Sequence, residues 1–344
     1  KAKILELLRE KKDRVAAGAP ESEAYVSGQE LCEQFGVSRT AVWKAIGQLK
    51  KEGYVIEAVQ NRGYRLLDQT EEVYNQADIQ SRLKTKWVAH PLQFFDSIDS
   101  TNIRAKLEAE QGAESGLLVV SDMQSAGRGR RGRGWESPAG TNIYYTLMLK
   151  PDFSSDCAPM LTLVMALAVA KGIRQTLRRD SEEAAAKVGI KWPNDIVVDG
   201  KKVCGILTEM SMEQGYIQHI VIGVGINVRK QEFPEEIRDR AAAIDEQCGF
   251  RISRSQLIAD IMEAFEEDYE IFLRTHDLKG LRASYAELLV NQDREVCVLD
   301  PKGEYRGIAR GINDQGELLV ERQDGTVEEV YAGEVSVRGI YGYV

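Results

Sequence analysis

The pattern of apolar and polar positions over residues 1–68 predicts three short helices followed by a two-stranded hairpin. Ser27 with Glu30 three residues later is typical of a capping box, and Ser38 offers a second N-cap. The helix after Ser38 carries its apolar residues on one face: Val42, Ile46 and Leu49. Two helices joined by a glycine-containing turn predict a helix-turn-helix, and the hairpin around residues 60–63 adds a wing.

The rest of the chain predicts a mixed α+β protein. Strands are expected at 117–120 and 142–149, a buried core helix at 161–170, and amphipathic helices at 257–273 and 281–289. From residue 294 onward the pattern changes to short strands, at 295–299, 305–312, 318–321, 326–331 and 335–337, with turns at 301–303, 314–316 and 324–325. We therefore predict a winged helix at 1–68, a mixed α/β domain at 69–292, and a small SH3-like β barrel at 293–344.

Charge is unevenly distributed along the chain. The net charge is −9, yet residues 1–68 hold twelve basic and ten acidic side chains, so the remainder carries −11. No acid lies between Ser38 and Lys51. DNA binding needs local positive charge and not a basic whole chain, so we expect the second helix and the wing to contact DNA. The predicted contact residues are Ser38, Arg39, Thr40, Trp43, Lys44 and Arg62. The alternative is a helical interaction domain with a solvated basic face.

The numbers and spacing of cysteines and histidines limit which cellular compartment and which kind of catalytic chemistry we expect. The five cysteines lie far apart without a CxxC pair, which argues against a disulfide framework or a zinc site and favours a reducing compartment. With no signal-peptide pattern at residue 1 and no apolar run long enough to span a bilayer, we expect a cytoplasmic protein without a membrane partner. Only three scattered histidines occur, so the chemistry must rest on Arg, Lys, Asp and backbone groups.

A loop of alternating arginine and glycine follows the strand at 117–120. Four arginines and four glycines fill residues 127–134 and include a G-x-G-x-x-G spacing. A dinucleotide-binding fingerprint would open a helix there, whereas this loop leads into a second strand, which disfavours that interpretation. Glycines let a backbone fold around a ligand, and arginines bind phosphate and carboxylate. An anion site is favoured, and a flexible basic loop touching RNA or DNA stays open as an alternative.

Five co-linear motifs carry a resemblance to a known family. They are Asp99-Ser100-Thr101-Asn102, Gly127-Arg128-Gly129-Arg130-Arg131-Gly132-Arg133, Lys191-Trp192-Pro193-Asn194-Asp195, Lys202-Val203-Cys204-Gly205-Ile206-Leu207 and Gly223-Val224-Gly225-Ile226-Asn227. Together with the terminal domains they resemble the bacterial bifunctional biotin–protein ligases and biotin-operon repressors. The resemblance covers essentially the whole chain.

This resemblance implies a reaction and a set of site residues. Biotin would be activated by ATP to biotinyl-5'-AMP and passed to a lysine of a biotin carboxyl carrier domain. Lys202 and Arg130 would be catalytic. The implied biotin and adenylate contacts are Ser100, Thr101, Asn102, Gln124, Gly127, Arg128, Gly129, Arg130, Arg133, Trp135, Lys202, Gly205, Ile226 and Asn227.

Several roles within this set follow from residue chemistry. Ser100, Thr101 and Gln124 suit the urea of biotin, although Ser100 also suits a helix N-cap. Lys202 is expected to face the pocket, with its neighbour Lys201 as the alternative, because adjacent strand residues face opposite ways. Asp195 is a candidate Mg²⁺ ligand or a turn residue. The segment at 229–247 contains no aromatic residue other than Phe233, so no adenine-stacking side chain is assigned.

The resemblance also implies regulation and partners. The adenylate-bound form would act as a homodimeric repressor on operator DNA of biotin genes. A biotin sensor without ligase activity and a lipoate ligase are the alternative functions. The sensor would not need both the arginine loop and Lys202, and lipoate ligases lack that loop.

Overall fold

A computed structural model describes residues 1–299 and 303–331, and the backbone of 336–339. The chain separates into two compact units, the first spanning Lys1–Leu83 and the second beginning at Lys84. The first unit contains α1 (Ala2–Ala16), α2 (Gly28–Phe35), α3 (Arg39–Lys51), β1 (Ile56–Val59), β2 (Gly63–Leu66) and α4 (Gln76–Gln80).

The helix-turn-helix and wing form as the sequence predicts. The Ser27 hydroxyl accepts from the Glu30 amide, and that of Ser38 accepts from the Ala41 amide, so both predicted caps are present. Gly36 ends α2 with a left-handed φ of 63°, a conformation that costs glycine little. The three apolar positions of α3 are buried in one core with α1 and the antiparallel pair β1–β2.

The first unit continues beyond residue 68 because α4 packs onto it. The Asp78 carboxylate is 2% exposed and accepts from Arg9, from Arg82 at 3.2 Å and from the Tyr54 hydroxyl at 3.1 Å. Burial and the neighbouring Asp78 charge raise the pKa of Tyr54 well above its usual value. These contacts join α1, the start of the wing and α4 into one unit.

The second unit is built on a seven-stranded mixed sheet of order β3-β4-β5-β9-β8-β7-β6. Its strands are β3 (Leu92–Phe95), β4 (Leu118–Ser121), β5 (Ile143–Leu149), β6 (Val188–Lys191), β7 (Asp195–Val198), β8 (Lys201–Glu213) and β9 (Tyr216–Ile226). Its helices are α5 (Thr101–Glu110), α6 (Met160–Arg178), α7 (Glu182–Ala186), α8 (Ile244–Cys248), α9 (Arg254–Phe272) and α10 (Arg282–Leu288).

The two faces of this sheet are covered differently. Tyr145 of β5 reaches Met165 of α6, whereas the next residue, Thr146, reaches α5. The face toward α6 is therefore closed by a core helix, and the face toward α5 carries polar groups. The expectation that no apolar run is long enough to span a bilayer was wrong by length and composition, because the segment Ser155–Arg178 meets both criteria. However, 72% of its most apolar window is buried inside the protein, as in a core helix.

The C-terminal strands form an antiparallel sheet of order β13-β12-β11-β10-β14. They are β10 (Glu295–Leu299), β11 (Tyr305–Ile312), β12 (Leu318–Glu321), β13 (Val327–Val330) and β14 (Ser336–Gly339). The predicted turn residues Pro301 and Lys302, and Val335 of the last predicted strand, lie outside the described residues. The Trp192 indole donates to the Gly316 carbonyl at 3.0 Å, which ties the hairpin β6–β7 to this sheet.

We predict that Glu266 of α9 stabilises the second unit through its charge. Its carboxylate accepts from the amides of Lys86, Trp87 and Val88 at 2.9–3.0 Å. Burial alone would raise the pKa of Glu266, but these hydrogen bonds outweigh it and hold the pKa below its usual value. A lowered pKa contributes stability above the unfolded pKa, and that stability is lost as pH falls through the folded pKa.

Glu266→Gln should therefore lower the free energy of unfolding by about 1–3 kcal/mol at neutral pH. The difference from the wild type should begin to shrink as pH falls below about 4, the ordinary range of a glutamate, and should disappear only below the lowered pKa of the folded state. Urea unfolding across this pH range measures it, with the exposed neighbour Glu267→Gln as control. A difference that persists unchanged in acid would contradict the role of the charge.

Candidate active site and nucleic-acid interface

The start of α5 brings together two residues from separate predicted motifs. The amide and hydroxyl of Thr101 both approach the Gln124 side-chain oxygen, at 2.9 and 3.1 Å. Gln124 donates through its nitrogen to the Ser137 hydroxyl, which donates to the Trp135 carbonyl. Ser100 occupies the N-cap position, but its side chain makes no capping hydrogen bond. The amide oxygen of Gln124 therefore points toward Thr101.

A second polar group lies beneath this pair, against the sheet. Thr146 of β5 is within hydrogen-bond distance of the Thr101 hydroxyl at 2.8 Å and of the Asn102 oxygen at 2.6 Å. Asn102 donates to Glu209, which also accepts from Lys106. Asn102, predicted as a ligand contact, is thus bonded within the protein. Sequence reasoning missed Thr146 and Glu209, because a lone polar residue in a strand pattern gives no signal of its partners.

The arginine–glycine loop forms a compact turn between β4 and β5. The Gly129 amide donates to the Arg133 carbonyl at 2.7 Å, and the Trp135 amide donates to Gly127 at 2.9 Å. A side chain at residue 127 would lie 2.3 Å from the Trp135 carbonyl, so only glycine fits there. The loop leads into a strand and not into a long helix, as predicted, which excludes the dinucleotide fingerprint. Arg128 and Arg133 are exposed.

Arg130 turns inward from this loop onto the hairpin β6–β7. Its guanidinium donates to the Asn194 side-chain oxygen at 2.6 Å, and Asn194 donates in turn to the Ile206 carbonyl at 3.1 Å. Burial lowers the pKa of Arg130, against the opposing effect of Asp195, and Arg131 lowers it further. Sequence reasoning weighed Asp195 in this motif and missed Asn194 as the residue that holds Arg130.

Lys202 enters the same area from β8. Its ammonium nitrogen lies 2.7 Å from an Asp195 carboxylate oxygen, and its side chain is 26% exposed. The neighbouring Lys201 is exposed, so the structure places Lys202 in this cluster, as expected from strand alternation. The chain after β9 fixes the backbone of Lys202. The Lys202 amide donates to the Arg240 carbonyl, and the Ala242 amide donates to the Lys202 carbonyl.

The Trp135 indole lies on a floor of two paired glycines, Gly205 of β8 and Gly225 of β9. A side-chain carbon at residue 225 would approach the indole to 2.5 Å, and one at residue 205 to 2.9 Å. The Lys202 ammonium lies 5.5 Å from the ring centroid. The surface under the indole is therefore formed by backbone.

Two other predicted contacts lie apart from this floor. Ile226 is fully buried, and strand alternation turns its side chain to the face opposite that of Gly225. Asn227 is buried at the end of β9, with its amide bonded to the Val203 carbonyl at 2.7 Å. The contacts expected of their side chains remain predictions.

Asp195 does not sit in a metal-binding cluster. In the described part of the chain, no group of three or more His, Cys, Asp and Glu residues is placed to hold a metal ion. The Asp195 carboxylate is paired with Lys202 and interacts electrostatically with Arg130. The expected role of Asp195 as a Mg²⁺ ligand remains a prediction, since Mg²⁺ commonly takes one protein carboxylate together with phosphate and water oxygens.

The predicted nucleic-acid residues lie on the exposed side of the first unit. Ser38, Arg39, Thr40 and Lys44 are all exposed on α3, and the Trp43 side chain is 69% exposed. In the wing, the guanidinium of Arg62 lies 5.7 Å from the Tyr25 ring centroid. Arg65 is instead paired with Glu21 and Glu57. An exposed basic helix face beside an exposed wing arginine can contact phosphates and base edges.

Comparisons with known proteins agree with both halves of this arrangement. Family models match for an HTH domain at residues 21–65, the biotin/lipoate A/B protein ligase family at 94–227, and the biotin protein ligase C terminal domain at 293–338. The chain is 36% identical over 329 residues to the bifunctional ligase/repressor BirA of Bacillus subtilis, covering 95% of this chain and 98% of that protein.

More distant relatives match in the same way. BirA of Escherichia coli is 32% identical over 312 residues, covering 91% of this chain and 92% of that protein. The structure of biotin protein ligase from Aquifex aeolicus in complex with biotin and ATP is 29% identical, with a TM-score of 0.60 over 72% of this chain and 98% of that one. The chain belongs to the biotin–protein ligase family, in its bifunctional ligase/repressor form with an N-terminal helix-turn-helix domain.

Proposed function

We propose that this protein activates biotin with ATP at the cluster of Arg130, Asn194, Asp195 and Lys202, and transfers biotin to a lysine of a carboxyl carrier domain. The observation that carries this proposal is the convergence of two cations from separate segments on the turn of one hairpin. A carboxylate and a triphosphate are both anions, so their reaction requires fixed positive charge where they meet.

The first step forms the mixed anhydride. A carboxylate oxygen of biotin attacks the α-phosphorus of ATP, the bond to the bridging β-phosphate oxygen breaks, and pyrophosphate leaves. Lys202 and Arg130 stabilise negative charge on the phosphoryl oxygens in the transition state. Asp195 orients Lys202, and Asn194 orients Arg130.

The second step transfers the biotinyl group. The amine of the acceptor lysine attacks the biotinyl carbonyl carbon, the bond to the AMP oxygen breaks, and an amide forms. The amine loses its proton and AMP leaves as a phosphate monoester. Arg130 keeps AMP and the carbonyl in place, which limits hydrolysis in bulk solvent before the acceptor arrives.

Thr101, Gln124 and Ser100 are proposed to bind the urea head group of biotin, and the Trp135 indole, which lies on the glycine floor, to pack against its apolar rings. Arg128 and Arg133 are exposed and suited to the carboxylate and phosphates. Mg²⁺ is proposed to arrive with ATP as part of the substrate, with phosphate and water oxygens as its main ligands. No step is assigned to Asp195 as a metal ligand.

The helix-turn-helix domain is proposed to repress biotin genes in the cytoplasm when the adenylate is bound. One winged helix offers one recognition helix and one wing, so a monomer contacts a single half-site. A symmetric homodimer presents two recognition helices and doubles the phosphate contacts. The adenylate would fix the exposed arginine side chains of the loop at 128–133 and so prepare the dimer-forming surface, and operator affinity would then follow adenylate binding by linkage.

A single assay tests the ligase function. The protein is incubated with ATP, Mg²⁺ and either biotin or lipoate, and acylation of a carrier domain is measured. Biotinylation supports the proposal, whereas lipoylation alone would identify a lipoate ligase. Biotin binding without acylation would identify a sensor.

We predict that Lys202→Ala slows adenylate formation about 10²–10³-fold while biotin affinity changes little. A charge used mainly in the transition state affects turnover more than ground-state binding. Pyrophosphate release measures the rate, and biotin titration measures the affinity. Lys201→Ala is the matched control, and damage by that change in place of Lys202→Ala would refute the assignment.

We predict that Arg130→Ala releases the adenylate about ten- to a hundredfold faster, with a smaller effect on biotin binding. The expected range follows from the loss of one charge-assisted hydrogen bond. Asn194→Ala should act in the same direction because Asn194 holds the guanidinium. Adenylate off-rates measure both variants, with the exposed Arg178→Ala as control. Off-rates at the wild-type value would count against Arg130.

We predict that biotin plus ATP raises operator affinity, and that unbiotinylated acceptor domain lowers it again. The acceptor must approach the active-site face to receive biotin, so it competes with the adenylate-dependent dimer. A gel-shift titration at fixed salt measures both effects. An operator affinity that does not change when biotin and ATP are added would contradict the proposed regulation but not the ligase function.

A further inference from the structure

A chain of hydrogen bonds leads from the edge of the sheet to the head-group residues Thr101 and Gln124. It begins at Glu209 on β8, which accepts from the Asn102 side-chain nitrogen at 2.8 Å. The Asn102 oxygen lies 2.6 Å from the Thr146 hydroxyl, which lies 2.8 Å from that of Thr101. The side chain of Thr146 and that of Asn102 are both buried.

The direction of these hydrogen bonds follows from the charge of Glu209. Burial would raise the pKa of its carboxyl, but hydrogen bonds from Asn102 and Lys106 outweigh burial, and the pKa lies below its usual value. An ionised carboxylate only accepts. The Asn102 nitrogen must therefore face Glu209, and the Asn102 oxygen must face Thr146 as an acceptor.

The proton of Thr146 is consequently committed to Asn102. A hydroxyl has one proton, so Thr146 has none left for Thr101. The Thr101 proton could go to Thr146 or to Gln124, and it goes to Thr146 because that contact, at 2.8 Å, is shorter than the 3.1 Å contact with Gln124. The Thr101 oxygen then keeps both acceptor positions open. The Gln124 oxygen accepts the Thr101 amide and keeps one acceptor position as well.

A hydrogen bond donated by Thr146 to Thr101 would leave fewer acceptor positions for the urea of biotin. If Thr146 donated to Thr101, the Thr101 proton would go to Gln124, whose oxygen would then be fully used. Thr101 would keep a single acceptor position. The urea of biotin carries two N–H donors, and only the first arrangement offers an acceptor to both.

We propose that Glu209 is a positioning residue that sets the direction of this relay, so that Thr101 and Gln124 accept hydrogen bonds from both N–H groups of the biotin urea. This inference rests on the proposed function, because it concerns the same head-group site. Gly223 supports it sterically, since a side-chain carbon there would lie 2.0 Å from the Asn102 oxygen and displace Asn102.

The first test is biotin titration by calorimetry on the full chain at neutral pH. Glu209→Gln removes the charge and lets both amides reverse, so it should weaken biotin binding about tenfold, the loss of one hydrogen bond. The KM for biotin should rise while the KM for ATP and the kcat at saturating biotin stay near wild type. Lys106→Gln is the matched control, because it removes the other partner of Glu209 and leaves the carboxylate ionised.

A second pair of variants tests the relay at another link. Thr146→Val keeps the shape but removes the hydroxyl, and should weaken biotin binding to a similar extent as Glu209→Gln. Thr146→Ser keeps the hydroxyl and should restore wild-type affinity. Combining Thr146→Val with Glu209→Gln should add little, because the relay is already broken. Thr146→Val and Thr146→Ser also test the relay if the Glu209→Gln variant does not fold.

The outcomes separate this inference from the proposed function. Wild-type protein that fails to bind biotin would overturn the proposed function, and this inference with it. Wild-type binding combined with unchanged affinity in Glu209→Gln and Thr146→Val would overturn only the relay. Equal weakening by Lys106→Gln and Glu209→Gln, or additive losses in the double variant, would also overturn it.

Discussion

Two positive side chains, Arg130 and Lys202, are held at one hairpin turn, and holding them there is the constraint on which the active site depends. Arg130 comes from a glycine-rich loop and Lys202 from a strand, and neither would stay in place unaided. The hairpin β6–β7 provides both partners on consecutive residues, an amide oxygen from Asn194 and a carboxylate from Asp195. Because the two partners are adjacent, one turn fixes the spacing of both cations.

The turn between β6 and β7 is itself held in place by contacts on two sides. Asn194 bonds to the Ile206 carbonyl on β8, and Trp192 donates to Gly316 of the C-terminal sheet. The position of the cations therefore depends on packing well outside the site. This arrangement suits a reaction that needs fixed charge and no proton shuttle, and it explains why a chain with three histidines can carry it out.

Sequence predicted the elements more fully than the contacts. Helices α3, α6 and α9 and the strands on either side of the arginine loop follow from apolar periodicity and caps, which act locally. The end of the first unit was harder to predict from the sequence, because α4 joins this unit through contacts of Asp78 with residues far away in sequence. Nothing in the local pattern around Asp78 identifies those partners.

The site shows the same division between local and distant information. Strand alternation, which is a local rule, predicts that Lys202 and Lys201 face opposite ways, and the structure pairs Lys202 with Asp195 while Lys201 is exposed. Asn194, Thr146 and Glu209 were missed because their roles arise only when strands from distant parts of the sequence pair. Ile226 is expected from its motif to contact biotin; the alternation of β9 turns its side chain to the face opposite that of Gly225, and the contact stays a prediction.

The uneven charge of the chain links the two activities physically. Residues 1–68 carry +2 and the remainder −11, so the greater part of the molecule repels DNA phosphates. At physiological salt this repulsion is screened beyond about 8 Å, whereas direct contacts from α3 and the wing are not. The attraction to DNA must therefore come from the local positive charge of α3 and the wing, and not from the charge of the whole chain.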